Sequence, residues 1–180
     1  MLQKSNMQKT EEIFFMNPTR EHYLMNISKE INLSHTSVKK NLDQLVKLGL
    51  ISKVIIKRGK RKFPVYKADT DSKEFRKAKI IYNLSAMFES RLVEFLEEKL
   101  APKSIVLFGS FLRGEDVEDS DIDLFIECEG KKVDLKSFEK RLSRKINIHF
   151  NDNFNIYADE LKQNIINGMI LFGFLEVSLR

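Results

Sequence analysis

The chain has 180 residues, of which 42% are apolar and 32% charged, with 7 Gly, 3 Pro and 1 Cys, and this composition excludes a disordered, fibrous or disulfide-framed protein. The length suffices for one full domain or two small ones. Charge is unevenly spread: Met1 to Lys67 holds 14 Lys and Arg against 5 Asp and Glu, a net of +9, which leaves 17 against 21, a net of −4, for the rest.

The three His (His22, His35, His149) and the lone Cys128 do not make a zinc cluster. No apolar run approaches the roughly 18 to 20 residues of a membrane span. The start MLQKSNMQKT lacks the apolar stretch of a secretion signal, so the expected location is the cytoplasm, with no membrane partner.

In the basic third, Ile27 to Ile31 reads as a short helix and Asn32-Leu33-Ser34 as a tight turn. Ser34 then caps a helix from His35 to Leu48. Val38, Leu42, Leu45, Val46 and Leu48 form its apolar stripe at helical period, leaving His35, Thr36, Ser37, Lys39, Lys40 and Asp43 outside. Gly49 ends the helix. Leu50 to Lys57 and Lys62 to Lys67 read as two strands joined at Arg58-Gly59-Lys60, a hairpin whose Pro64 belongs on an edge. Lys57, Arg58, Lys60, Arg61 and Lys62 crowd its tip. Over Met7 to Asp69 this order of elements, with the phrase LVKLGLISKV, resembles the winged helix-turn-helix domains of bacterial and archaeal transcription regulators. The resemblance implies double-stranded DNA as partner. The expected contacts are Ser34, His35, Thr36, Ser37, Lys39 and Lys40 from the second helix, and Lys57, Arg58, Lys60, Arg61 and Lys62 from the wing.

Ser72 to Leu100 carries Phe75, Ala78, Ile81, Leu84, Phe88, Leu92, Phe95 and Leu96 at spacings of three and four, a helical connector with one apolar face. Asn83-Leu84-Ser85 suggests a break, hence two helices. The apolar face fits either core packing or the seam of a homodimer, the usual state of regulators that read two half-sites.

Ser104 to Phe108 reads as a buried strand ending in Gly109-Ser110, a small-residue turn suited to an anion. Ten residues beyond Ser110, Asp121-Ile122-Asp123 opens a second strand. Side chains two apart on a strand share a face, so the two carboxylates lie roughly 6 to 7 Å apart and repel unless a cation such as Mg²⁺ intervenes. The stretch LFGSFLRGEDVEDSDIDLFIE resembles the signature of the DNA polymerase beta-like nucleotidyltransferases, in particular their minimal branch. Gly109, Ser110, Arg113, Gly114, Ser120, Asp121, Ile122, Asp123 and Leu124 match it, and KQNIINGMILFGFLEV resembles the closing helix and tail.

The resemblance implies a mixed sheet flanked by helices, with an NTP held at Gly109, Ser110 and Ser120. Two Mg²⁺ ions would lie on Asp121 and Asp123, and a nucleoside monophosphate would pass to a hydroxyl as pyrophosphate leaves. Arg113 fits a phosphate partner and an exposed loop arginine equally. The family's third carboxylate is replaced: in the strand Ile146 to Phe150, Asn147 occupies its place by order of elements. His149 on the same face is a candidate base, with Asp152 just beyond the strand. The acceptor is a small molecule, an RNA or, by analogy with minimal members that modify a partner toxin, a protein.

The expected architecture is α+β: a winged helix-turn-helix over residues 1–69, a helical connector over 70–100 and a nucleotidyltransferase-like domain over 101–180. Two functions fit it. One is a DNA-binding nucleotidyltransferase; the other is a transcription regulator whose transferase domain is catalytically degenerate and serves as a nucleotide sensor or scaffold.

Overall fold

A computed structural model describes residues 4–150 and 157–175, with the side chain of Arg58 outside the description. The chain divides into two compact units, 1–82 and 83–180, and the division falls within one helix, α4 (Lys73–Ser90). Helices and two sheets make the fold a mixed α+β one.

The first unit opens on α1 (Asn6–Met16), a helix that the pattern of the sequence does not single out. Its start is set by a capping box in which Ser5 Oγ accepts from the Gln8 backbone and Gln8 Oε1 accepts from that of Ser5, at 3.2 and 2.8 Å. Next come α2 (Leu24–Glu30) and α3 (His35–Lys47). Asn32 takes a left-handed φ of 51° between them, and Ser34 Oγ caps α3 by accepting from the Ser37 backbone at 3.2 Å.

The strands β1 (Ile51–Arg58) and β2 (Arg61–Ala68) pair antiparallel from Ile51 opposite Ala68 to Arg58 opposite Arg61, leaving Gly59-Lys60 as the loop. Gly59 has φ +60°, the sign a two-residue hairpin turn requires. Ile13, Phe14, Phe15, Ile27, Val38, Leu42, Leu45, Ile51, Tyr66 and Phe75 form the core. Asn41 lashes α3 to α1 by donating to Asn6 O and Thr10 Oγ1, at 3.0 and 2.9 Å. Three residues of the expected apolar stripes lie outside: Leu48 is 51% exposed, because it stands past the last turn of α3, and Ile81 and Phe88 of α4 are 67% and 48% exposed.

The connector is indeed two helices, but the break is not at Asn83-Leu84-Ser85. It falls at Arg91, in left-handed conformation at φ 61°, before α5 (Leu92–Leu100). Ser90 Oγ accepts from the Leu92 backbone at 3.2 Å there. Asn83 does not stop the helix because its amide donates outward, to Phe111 O and Asp116 Oδ1, at 2.8 Å each.

The chain continues through β3 (Ser104–Phe108), α6 (Gly109–Arg113), β4 (Ile122–Ile126), α7 (Lys136–Leu142), β5 (Ile146–Phe150), α8 (Asp159–Ile166) and β6 (Met169–Gly173). The sheet order is β5-β4-β3-β6; β4 and β5 run parallel and the other pairs antiparallel, so the sheet is mixed. All five residues of β3 are buried, as a central strand with both faces covered requires. Met87, Leu92, Leu96, Ile105, Leu107, Ile122, Leu124 and Ile126 form one core cluster; Val106, Phe108, Phe125 and Ile165 form another.

Candidate nucleotide site

The site is built at the junction of β3 with α6 and at the starts of β4 and β5. On β4, Ile122 and Leu124 are fully buried, so the alternation of the strand turns Asp123 to the other face, where it is partly exposed. Asp121 stands one residue before the strand and is exposed.

Gly109 brings the small-residue turn against Asp123. It has φ +81°, and a Cβ built on it would meet Asp123 Oδ2 at 2.5 Å. Only glycine allows both the backbone conformation and the approach. Gly109 and Ser110 open α6, and both are partly buried.

The parallel register sets Asn147 of β5 opposite Asp123. Asn147 Nδ2 donates to Asp123 Oδ1 at 3.2 Å and to His149 Nε2 at 3.1 Å. A carboxylate only accepts, so the amide must present its nitrogen to it. His149 Nε2 stands 3.8 Å from Asp123 Oδ1. The His149 ring lies between those of Phe108 and Tyr157, with centroids 5.4 and 5.9 Å away. Tyr157 is held in turn by its hydroxyl, which donates to Phe150 O at 2.8 Å.

Other expected residues are already engaged locally. Arg113, exposed, donates from Nε to Glu115 Oε2 at 2.8 Å. Ser120 Oγ accepts from the Val117 backbone at 2.9 Å and so closes the turn before Asp121. Asp152 lies outside the described residues. In the other unit, His35, Thr36, Lys39, Lys40, Lys57, Lys60, Arg61 and Lys62 are exposed, Ser34 is exposed at the cap of α3, and Ser37 is partly buried.

One buried polar network has no signal in the sequence. Asp116, 1% exposed, receives Asn83 Nδ2 on Oδ1 and Arg144 on Oδ2, the latter at 3.3 Å. Asn83 also donates to the Phe111 carbonyl of α6 and so ties that helix to the network. Asp116 sits in the acidic run Glu115 to Asp119 and looks solvated there; nothing in the run marks it as inward-facing.

Asp121 and Asp123 are hard oxygen donors, the type Mg²⁺ takes beside water and phosphate, and the Gly109 approach keeps Asp123 at the turn. The residues therefore fit a divalent ion. Among the described residues no group of three or more His, Cys, Asp and Glu side chains forms a metal cluster. Among the described residues no helix is long and apolar enough to cross a membrane.

Residues 89–172 match the model of the nucleotidyltransferase domain. A 34-residue stretch is 53% identical to "Putative protein adenylyltransferase" of Methanocaldococcus jannaschii, covering 19% of this chain and 34% of that protein. The chain thus spans about a third of the length of the curated relative it matches. Among solved structures, "Possible transcriptional regulator from Methanosarcina mazei Go1" is 18% identical over 54% of this chain and 79% of its own, with a TM-score of 0.38.

Proposed function

We propose that the chain is a DNA-binding nucleotidyltransferase that binds an NTP with a divalent ion and transfers its nucleoside monophosphate to a hydroxyl, releasing pyrophosphate. The observation that carries the reading is the approach of Gly109 to Asp123 within the stretch matched to the nucleotidyltransferase model. It unites an anion-suited turn and a cation-suited carboxylate in one place, which a triphosphate with its metal needs and a merely solvated aspartate does not.

In this reading Gly109 and Ser110 bind the triphosphate, and Ser120 shapes the turn that delivers Asp121. Asp121 and Asp123 hold Mg²⁺, which when bound neutralises phosphate charge and orients the oxygens of an in-line displacement. Asn147 orients Asp123 through its N–H. His149, fixed by Phe108 and Tyr157, is the base available to an acceptor hydroxyl. The name of the Methanocaldococcus jannaschii relative, a protein adenylyltransferase, supports an adenylyl group as the one transferred and a protein as acceptor.

The first unit carries the DNA arm as a winged helix-turn-helix. Its support is the order α2, turn, α3, β1, β2 together with the exposed Lys39, Lys40, Lys60, Arg61 and Lys62 and the net charge of +9 over Met1 to Lys67.

Calorimetric titration with each NTP in Mg²⁺, against the Asp121→Ala, Asp123→Ala double variant, tests the second unit without requiring the acceptor. Metal-dependent binding that the double variant loses is the expected result; absence of binding to every NTP overturns the reading. One observation favours a second reading, a regulator with a degenerate transferase domain: Asn147 brings a neutral amide to Asp123 where a third carboxylate would stand. In that case the NTP binds and no pyrophosphate is released.

A further inference from the structure

We infer that this site takes a single divalent ion, carried in with the triphosphate, in place of the resident pair that a three-carboxylate site would hold. The inference rests on the reading of the site as a nucleotide site and concerns what Asn147 does to it.

In the parallel register of β4 and β5, position 147 lies opposite Asp123. A carboxylate there would set two negative charges beside each other, tolerable only with a cation between them or a shared proton. Asn147 removes that requirement. Its two amide hydrogens meet Asp123 Oδ1 and His149 Nε2, at 3.2 and 3.1 Å. The amide is neutral in either orientation, so it adds no charge with which to balance a second dication.

Asp123 Oδ2, at Gly109, and the exposed Asp121 remain as the chain's own anionic ligands. Together their two negative charges balance one dication and leave a second uncompensated. Mg²⁺ gives up its water reluctantly and favours one or two carboxylates combined with substrate phosphates, so the ion held here is the one the triphosphate brings.

The test counts Mn²⁺ on the full chain by electron paramagnetic resonance, with and without α,β-methylene-ATP, and follows thermal melting in EDTA and in Mn²⁺. The native chain is expected to hold one Mn²⁺ per chain with the analogue, and to melt at the same temperature in Mn²⁺ alone as in EDTA. Asn147→Asp is expected to hold two with the analogue, to melt lower than the native chain in EDTA and to recover in Mn²⁺, because the ion then binds only the folded state. Two Mn²⁺ on the native chain overturn the inference whether or not the variant folds. One Mn²⁺ on both chains overturns the role given to Asn147. A native chain that binds neither Mn²⁺ nor the analogue overturns the nucleotide-site reading itself, and is told apart from the other outcomes by the absent analogue.

Discussion

Arg144 reaches Asp116 at 3.3 Å, with side chains 6% and 1% exposed, so a buried ion pair ties the segment that joins α6 to β4 to the one that joins α7 to β5. Removing one partner of such a pair leaves a charge in low dielectric without its counter-charge, at a cost of about 3 to 5 kcal/mol. Arg144→Met should therefore destabilise the second unit strongly in urea unfolding. The double change Arg144→Met, Asp116→Leu should cost less than Arg144→Met alone, since it deletes the buried carboxylate that has lost the Arg144 charge. A double variant less stable than the single one would show instead that Asp116 stabilises the unit even without Arg144.

Gly109 connects backbone geometry to the site. Substitution by alanine forces a Cβ into a backbone with φ +81° and to 2.5 Å from Asp123 Oδ2, so either the turn or the carboxylate must move. The strain amounts to about 1 to 3 kcal/mol of stability. Nucleotide affinity should fall further than stability does, because the displaced group is the proposed metal ligand. Parallel melting and calorimetric titration of Gly109→Ala separate the two, and an affinity within twofold of the native value would detach Gly109 from the site.

The strands and the α3 cap are legible in the sequence because each rests on a local rule. Ser34 accepts from Ser37 where a cap residue should, and β3, β4 and β5 follow their apolar runs. The facing of the carboxylate at 123 is legible from alternation alone, given buried neighbours at 122 and 124. The features that escape such rules depend on partners distant in sequence. Asn83 reads as a helix stop by propensity, yet it lies in mid-helix because Asp116 and Phe111, 33 and 28 residues away, receive its amide. Leu48 continues the stripe in sequence, while the helix ends before it. The pairing of Asn147 with Asp123 needs the register between two strands, which only the folded sheet supplies.

Lys60, Arg61 and Lys62 are exposed at the hairpin end of the first unit. If they neutralise backbone phosphates, changing all three to alanine should lower duplex affinity at every sequence. The slope of log affinity against log salt should then decrease in magnitude by about 0.9 for each phosphate no longer neutralised. Fluorescence anisotropy from low to high salt measures both. Unchanged affinity with an unchanged slope would remove the wing from the DNA interface while leaving α3 open to its own test through Lys39 and Lys40.

Glu11 on α1 is partly buried, and burial raises its pKa above the ordinary carboxylate value. Its folded form therefore holds a proton more tightly than the unfolded chain does. In the interval above the unfolded pKa the native state binds more protons, and stability falls as pH rises through that interval. The neutral isostere Glu11→Gln removes this slope. It should leave stability nearly unchanged at acidic pH and raise it at neutral pH, with a higher Tm at pH 7 than the native chain. Urea unfolding at several pH values across the carboxylate range checks the sign. A variant less stable than the native chain at pH 7, with the slope retained, would mean that Glu11 is held by charged partners more strongly than burial opposes it.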